Sequence, residues 1–201
     1  MKSMAAIISG AAIAMTAITG CGDSSPTDNN NPGGSEKLIP FAVGNKWLYQ
    51  TVVHDSAGRQ TQSRLDSNVI KRDTMIQGER WFFFNDDDKT PVTNRTDGIY
   101  LWDRQNHNAR PFLKQPGIVG SSFEIGSQRF VLTSTSAGVN VPAGFYSCYQ
   151  LRLTDQNNPN LVGTISLAPG VGPVKIETIN TKPDGSLKGS IRMELKSVTL
   201  K

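Results

Sequence analysis

The sequence predicts an all-β domain: a single antiparallel, strongly curved sheet in the form of a half-barrel or wrapped meander, with a β-sandwich as the runner-up. Three observations predict it. Apolar and polar residues alternate with a period of two, as in Ile191-Arg192-Met193-Glu194-Leu195-Lys196, where the apolar side chains share one face and the charged ones the other. Glycine-bearing turns separate such runs at short intervals. No convincing amphipathic helix of ten residues is present. Without intervening helices, right-handed parallel crossovers are not available, so successive strands pair antiparallel in a sheet that curls, closes or packs on itself.

The first strand is expected over 46–54, where Trp47, Tyr49, Thr51 and Val53 share a face and Gly44-Asn45 supplies the turn that starts it. Asp55-Ser56-Ala57-Gly58 then turns the chain into a long strand over 60–71. A third strand over 79–85 holds Trp81-Phe82-Phe83-Phe84, four successive aromatic side chains that require burial on both faces, against a second layer or inside a cavity. Asp86, Asp87 and Asp88 follow as a solvated hairpin tip. Their adjacency does not fit an EF-hand calcium loop, which takes ligands at alternate positions with glycine at the sixth.

Thr96-Asp97-Gly98 leads into a strand over 98–103, and further strands are expected over 109–114, 122–126 and 129–135. Pro142-Ala143-Gly144 precedes a strand over 145–154, with Phe145, Tyr149, Leu151 and Leu153 set against Tyr146, Cys148, Gln150 and Arg152. Strands over 161–167 and 173–180 flank Ala168 to Pro173, a bend at a sheet edge because Pro169 and Pro173 lack donors and Gly170 and Gly172 permit unusual backbone angles. A phosphate-cradling loop would need a helix behind it, and a strand follows instead. Pro183-Asp184-Gly185 introduces the last strand, 186–199. The long strands over 60–71 and 186–199 suit a coiled sheet, and the Cys…Trp…Cys pattern of an immunoglobulin core is missing.

Ahead of this domain, residues 1–20 combine one positive side chain, Lys2, with an almost uncharged run rich in alanine and isoleucine, the layout of a signal peptide. Its end, Ile18-Thr19-Gly20-Cys21, resembles the lipobox of bacterial lipoproteins: an aliphatic residue, two small residues and a thiol. The resemblance implies cleavage before Cys21, acylation of that cysteine and attachment of the mature chain to a membrane. Several acyl chains make a lasting anchor where one holds only marginally. The alternative is an ordinary secretory signal with a coincidental cysteine. Gly22 stands where aspartate would favour inner-membrane retention, so delivery to the outer membrane is the expected address. Residues 21–37 carry no aliphatic or aromatic side chain beyond the cysteine, which makes them a flexible linker. The 16 residues from Gly22 to Lys37 span a root-mean-square distance of roughly 20–25 Å. The domain proper is then 38–201, whose 164 residues suffice for one core.

Three stretches carry a second resemblance: Pro40 to Tyr49 (PFAVGNKWLY), Val141 to Cys148 (VPAGFYSC) and Ala168 to Lys175 (APGVGPVK). Together they resemble uncharacterised lipoproteins and periplasmic proteins of the half-barrel type, a group similar to the Lol-type lipoprotein carriers. Such a likeness implies an antiparallel sheet wrapped around an apolar cavity. The large residues expected on an apolar-ligand face are Trp47, Trp81, Phe83 and Trp102, with ordinary core packing as the alternative.

No catalytic, cofactor or metal motif emerges. Cys148, between aromatic and aliphatic neighbours, reads as a buried inert thiol, and it leaves the mature domain without a partner for an internal disulfide. His54 and His107 are the only histidines and lie 53 residues apart, with no ligand spacing around either. There is no Gly-x-Ser-x-Gly elbow and no His-Glu-x-x-His. Asn94-Arg95-Thr96 matches a glycosylation sequon by chance. A net charge of +4, with basic residues dispersed among 17 acids, does not indicate nucleic acid. Oligomeric state is not encoded in any recognisable pattern.

Three functions are therefore carried forward. The first is a membrane-anchored envelope protein that binds a lipid or another envelope component on its concave face. The second is a structural or adhesion module that binds a protein. The third is a polymer hydrolase using carboxylates drawn from Glu79, Asp86, Asp97, Glu124 and Glu177.

Overall fold

The computed structural model describes residues 37–85, 90–115 and 117–201. The signal segment, Cys21 with the linker up to residue 36, and Asp86 to Asp88 lie outside the described residues. Twelve strands account for the fold, and the described residues contain no helix: β1 (Lys46–His54), β2 (Gln60–Ile76), β3 (Glu79–Phe84), β4 (Val92–Arg95), β5 (Gly98–Asp103), β6 (Asn108–Lys114), β7 (Ser122–Ile125), β8 (Gln128–Val141), β9 (Gly144–Asp155), β10 (Asn158–Ala168), β11 (Gly172–Thr181) and β12 (Leu187–Thr199).

Every ladder is antiparallel, and the order is β6-β5-β4-β3-β2-β1-β12-β11-β10-β9-β8-β7. Each strand thus pairs with its neighbours in the chain except at the β6–β7 junction, and the first and last strands pair with each other. The sheet is an all-but-closed barrel, curved further than a half-barrel, with one seam between β6 and β7. No backbone ladder crosses that seam among the described residues. Aromatic packing bridges it instead: Phe112 on β6 meets Phe123 on β7 at 5.2 Å between ring centroids, and Phe123 stacks on Phe130 of β8 at 5.0 Å.

Three features depart from the expected strand pattern. The four-residue β4 was not anticipated, because Val92-Thr93-Asn94-Arg95 has a single apolar residue to mark a face. β2 runs on to Ile76, pairing with β1 through its first half and with β3 through its second, after a register shift between Ile70 and Arg72. β8 runs on to Val141 through a Ser/Thr/Gly-rich stretch whose alternation is too weak to read. The far part of β8 and the start of β9 extend past the end of β10 as an arm, and the arm's tip docks where the Ala143 N–H donates to the Leu195 carbonyl at 3.0 Å.

In a meander of this kind the turns alternate between two rims. We call lower the rim that carries the start of the domain, the C-terminus and the β4–β5, β6–β7, β8–β9 and β10–β11 connections. The β2–β3 hairpin runs on past the start of β1, and its tip meets the β5–β6 turn, where the Gln77 side-chain amide donates to the His107 carbonyl at 3.4 Å. The β1–β2, β5–β6, β7–β8, β9–β10 and β11–β12 connections form the upper rim.

Residues Lys37 to Gly44 do not lie outside the barrel as a lead-in; they run into it. Leu38 and Ile39 are buried in the core. The Gly170 N–H donates to the Lys37 carbonyl at 3.0 Å, and the Asn94 side-chain amide donates to the Ile39 carbonyl at 2.7 Å. Phe41 stacks on Phe82 at 5.6 Å and meets the edge of Phe84 at 6.0 Å. Asn45 closes the arrangement. Fully buried at 0% exposure, it donates from Nδ2 to the Pro40 carbonyl and accepts at Oδ1 from the Lys201 N–H, both at 2.8 Å. Its backbone carbonyl accepts from the Ile70 N–H at 2.9 Å, which fixes β2 to the same point. Gly44 precedes it at φ +97°, where a Cβ would run into the Lys201 side chain.

Replacing Asn45 with alanine orphans the Pro40 carbonyl and the Lys201 amide together. At about 1–3 kcal/mol per buried group left unpaired, the expected loss is about 2–5 kcal/mol. At about 2–4 °C per kcal/mol for a domain of this size, the Tm should fall by about 5–15 °C in a circular-dichroism melt. Asn94→Ala, which frees one carbonyl, should fall by less than half as much; an Asn45→Ala protein that melts with the wild type would refute the role of this clasp.

Candidate functional site

Alternation along each strand sends one row of side chains into the barrel, and these rows merge with Leu38 and Ile39 into a single core. What remains open inside is an apolar cavity of about 90 Å³ bounded by Ile39, Phe41, Trp47, Phe84, Leu101 and Phe130 among others, with Asn68 and Gln128 as polar lining residues. Drug-sized ligands occupy pockets of roughly 300–1,000 Å³. The interior is thus occupied mainly by the protein's own side chains, and three of the occupants come from the segment ahead of β1.

The polar atoms of the two largest inward residues on β1 are consumed locally. Trp47 Nε1–H donates to the Val171 carbonyl at 2.6 Å, and the Tyr49 hydroxyl donates to the Pro173 carbonyl at 2.9 Å. Both acceptors belong to the proline- and glycine-rich bend between β10 and β11. Gly172 sits there at φ +101°, and the position its Cβ would take lies 3.4 Å from both Ile39 and Trp47. Burial pushes the Tyr49 phenol far above its ordinary range, so it acts as a fixed donor.

The four aromatic residues proposed for a ligand face divide between the two sides of the sheet. Trp47 points into the barrel and lines its cavity. Trp81, Phe83 and Trp102 lie on the outer side, because along β3 and β5 the inward positions belong to Phe82, Phe84, Ile99 and Leu101. Trp81, Tyr100 and Trp102 form a separate buried cluster, with Trp81 and Trp102 5.4 Å apart in an edge-on pair. Guanidinium groups cover its margins: Arg72 lies 3.7 Å from the Phe83 ring centroid, and Arg95 lies 4.4 Å from that of Tyr100 while forming a two-pronged pair with Glu79. The run Trp81 to Phe84 is accordingly buried from both faces, one inside the barrel and one outside. Sequence reasoning missed Leu38, Ile39 and Phe41; the signal was an apolar stretch placed directly after an entirely polar linker.

The other candidates are dispersed. Cys148 is buried, and burial pushes its thiol up to about 12, far from the range of a nucleophile. His54 Nδ1 lies 3.4 Å from the Ser190 hydroxyl, and His107 occupies the β5–β6 turn at φ +48°. Each described carboxylate of the hydrolase set has its own partner: Glu79 has Arg95, Asp97 accepts from the Tyr100 hydroxyl, Glu124 accepts from Gln156, and Glu177 pairs with Lys175. No group of three His, Cys, Asp or Glu residues among those described is placed to hold a metal ion. Asn94 of the sequon spends its amide on the Ile39 carbonyl. A wider recess of about 500 Å³ opens at the seam, lined by Arg110, Pro111, Phe123, Glu124 and Gly126, with Arg110 already paired to Asp103 at 3.0 Å.

No protein-family model and no curated protein matches the chain. In structure it is similar to a protein of Bacteroides fragilis assigned as exported and as having a YmcC-like fold, with a TM-score of 0.44 and 12% identity over 82% of this chain and 100% of that one. It is also similar to a protein of Parabacteroides distasonis assigned as a lipoprotein, with a TM-score of 0.45 and 11% identity over 83% of this chain and 100% of that one. Likeness at this level carries no functional information.

The buried thiol gives a test of the core. Its folded value of about 12 lies above the ordinary 9.0, so the folded state keeps a proton that the unfolded chain releases. That contribution to stability is complete below pH 9 and is lost as the pH rises through 12. Urea midpoints should fall from about pH 8 to about pH 11, and less steeply in Cys148→Ala. Parallel slopes in the two proteins would contradict the burial.

Proposed function

We propose that this chain is a lipid-anchored protein of the bacterial cell envelope, delivered to the outer membrane, whose barrel is a rigid interaction module and not a lipid carrier. The observation that carries this reading is the occupied interior. Leu38, Ile39 and Phe41 fill the space an acyl chain would need, and the cavity left beside them is about 90 Å³. The anchor is supported by the Ile18-Thr19-Gly20-Cys21 motif and the wholly polar linker behind it, and the outer-membrane address by Gly22. Catalysis has no part in the proposal, since the described carboxylates are engaged by separate partners. The partner surface it favours is the seam, where β6 and β7 each leave one edge without a ladder.

Metabolic labelling with an alkyne fatty acid should mark the wild-type protein and leave Cys21→Ser unmarked. Native mass spectrometry of the detergent-extracted mature protein should give a mass accounted for by the polypeptide from Cys21 onward and its covalent acyl groups. A non-covalent lipid retained in that spectrum would reinstate the carrier reading; unlabelled wild-type protein would remove the anchor.

A further inference from the structure

The two rims differ sharply in what they expose. Among the described residues nine large hydrophobic side chains are exposed, and five of them stand at the lower rim: Val43, Ile118, Val119, Phe145 and Leu200. Ile118 and Phe145 are 76% and 73% exposed, the two highest values of the nine. The other four, Leu65 and Met75 on β2, Ile179 on β11 and Ile191 on β12, lie away from that rim. The upper-rim turns contribute none: Asp55-Ser56-Ala57-Gly58-Arg59, Arg104-Gln105-Asn106-His107, Gly126-Ser127, Gln156-Asn157 and Lys182 to Ser186 are polar or small throughout.

Charge follows the same division. Lys37, Lys46, Lys114 and Lys201 stand at the lower rim and form no ion pair among the described residues, and the one described acid in its turns, Asp97, accepts from the Tyr100 hydroxyl and keeps its charge. The lower rim therefore presents apolar side chains among four lysines and one carboxylate, an excess of positive charge. It is also where the linker leaves the domain, at Lys37, whose carbonyl is fastened to Gly170 in the β10–β11 bend.

We propose that the lower rim docks on the surface of an anionic bilayer, with Phe145, Ile118 and Val119 entering the interface and the four lysines meeting lipid headgroups. The proposal rests on the lipid-anchor reading, because Cys21 and a linker reaching roughly 20–25 Å bring this rim, and not the other, to the membrane. Aromatic and aliphatic side chains flanked by lysine are the composition that enters the headgroup region. With the chain already tethered, contacts too weak to recruit a free protein suffice to set its orientation. The upper rim then points away from the lipid.

The test uses the mature lipidated protein in vesicles of phosphatidylcholine with and without phosphatidylglycerol. Cys21 is acylated and Cys148 buried, so one introduced cysteine takes an environment-sensitive dye: Phe145→Cys or Val119→Cys at the lower rim, Ala57→Cys or Ser186→Cys at the upper. Lower-rim dyes should shift to the blue and be quenched by aqueous iodide less than upper-rim dyes, by on the order of threefold, in anionic vesicles. Upper-rim dyes should respond to iodide alike in both vesicle types. Flotation with the vesicles reports the anchor separately. Floating protein with equal quenching at both rims overturns the docking and leaves the anchor intact; protein that does not float overturns both.

Discussion

The barrel is organised around one buried carboxamide. Asn45 holds Pro40 with its donor and Lys201 with its acceptor, and its backbone carries Ile70, so the entering segment, the final residue and β2 meet at one point. A meander whose strands pair only with chain neighbours leaves its first and last strands as bare edges. Here that vulnerability is moved. Because β1 and β12 are brought together and pair, the unpaired junction falls between β6 and β7, in the middle of the chain.

The displaced seam is protected by other means. β7 is four residues long, β6 contains Pro111, and three phenylalanine rings pack across the gap. Short strands and prolines discourage a foreign strand from continuing the sheet. The two halves of the seam differ accordingly: the aromatic contact closes the core, while the recess beside Arg110 and Glu124 stays open to solvent. A partner recognised there would be read through side chains as much as through backbone, since β6 can offer no N–H at Pro111.

The fold class was legible because it depends on alternation, which survives wherever one face is buried, and the turns at Asp55, Thr96, Pro142 and Pro183 fall where strands end. What was lost had weak alternation: β4 has one apolar residue to declare a face, and the arm of β8 runs through Ser, Thr and Gly. Facing was harder than existence. Trp47, Trp81, Phe83 and Trp102 look equivalent as large aromatic residues, yet the parity of each strand relative to its neighbours decides inside from outside, and parity is set by register and bulges that no single strand displays. Leu38-Ile39-Pro40-Phe41 could not be read as an occupant of the interior because nothing periodic marks a segment that packs without belonging to the sheet.

In the proposed arrangement that segment would also carry force between membrane and domain. A linker joined directly to an edge strand would peel that strand when pulled. Here tension on Cys21 first meets the Gly170–Lys37 and Asn94–Ile39 hydrogen bonds, then the buried side chains of Leu38 and Ile39, and only beyond Asn45 the first residue of β1. In that arrangement the contacts that fill the barrel are the same ones that fasten the domain to its tether. Occupancy of the interior by Leu38, Ile39 and Phe41 thus serves the proposed anchor by holding the tether to the core and not to a sheet edge.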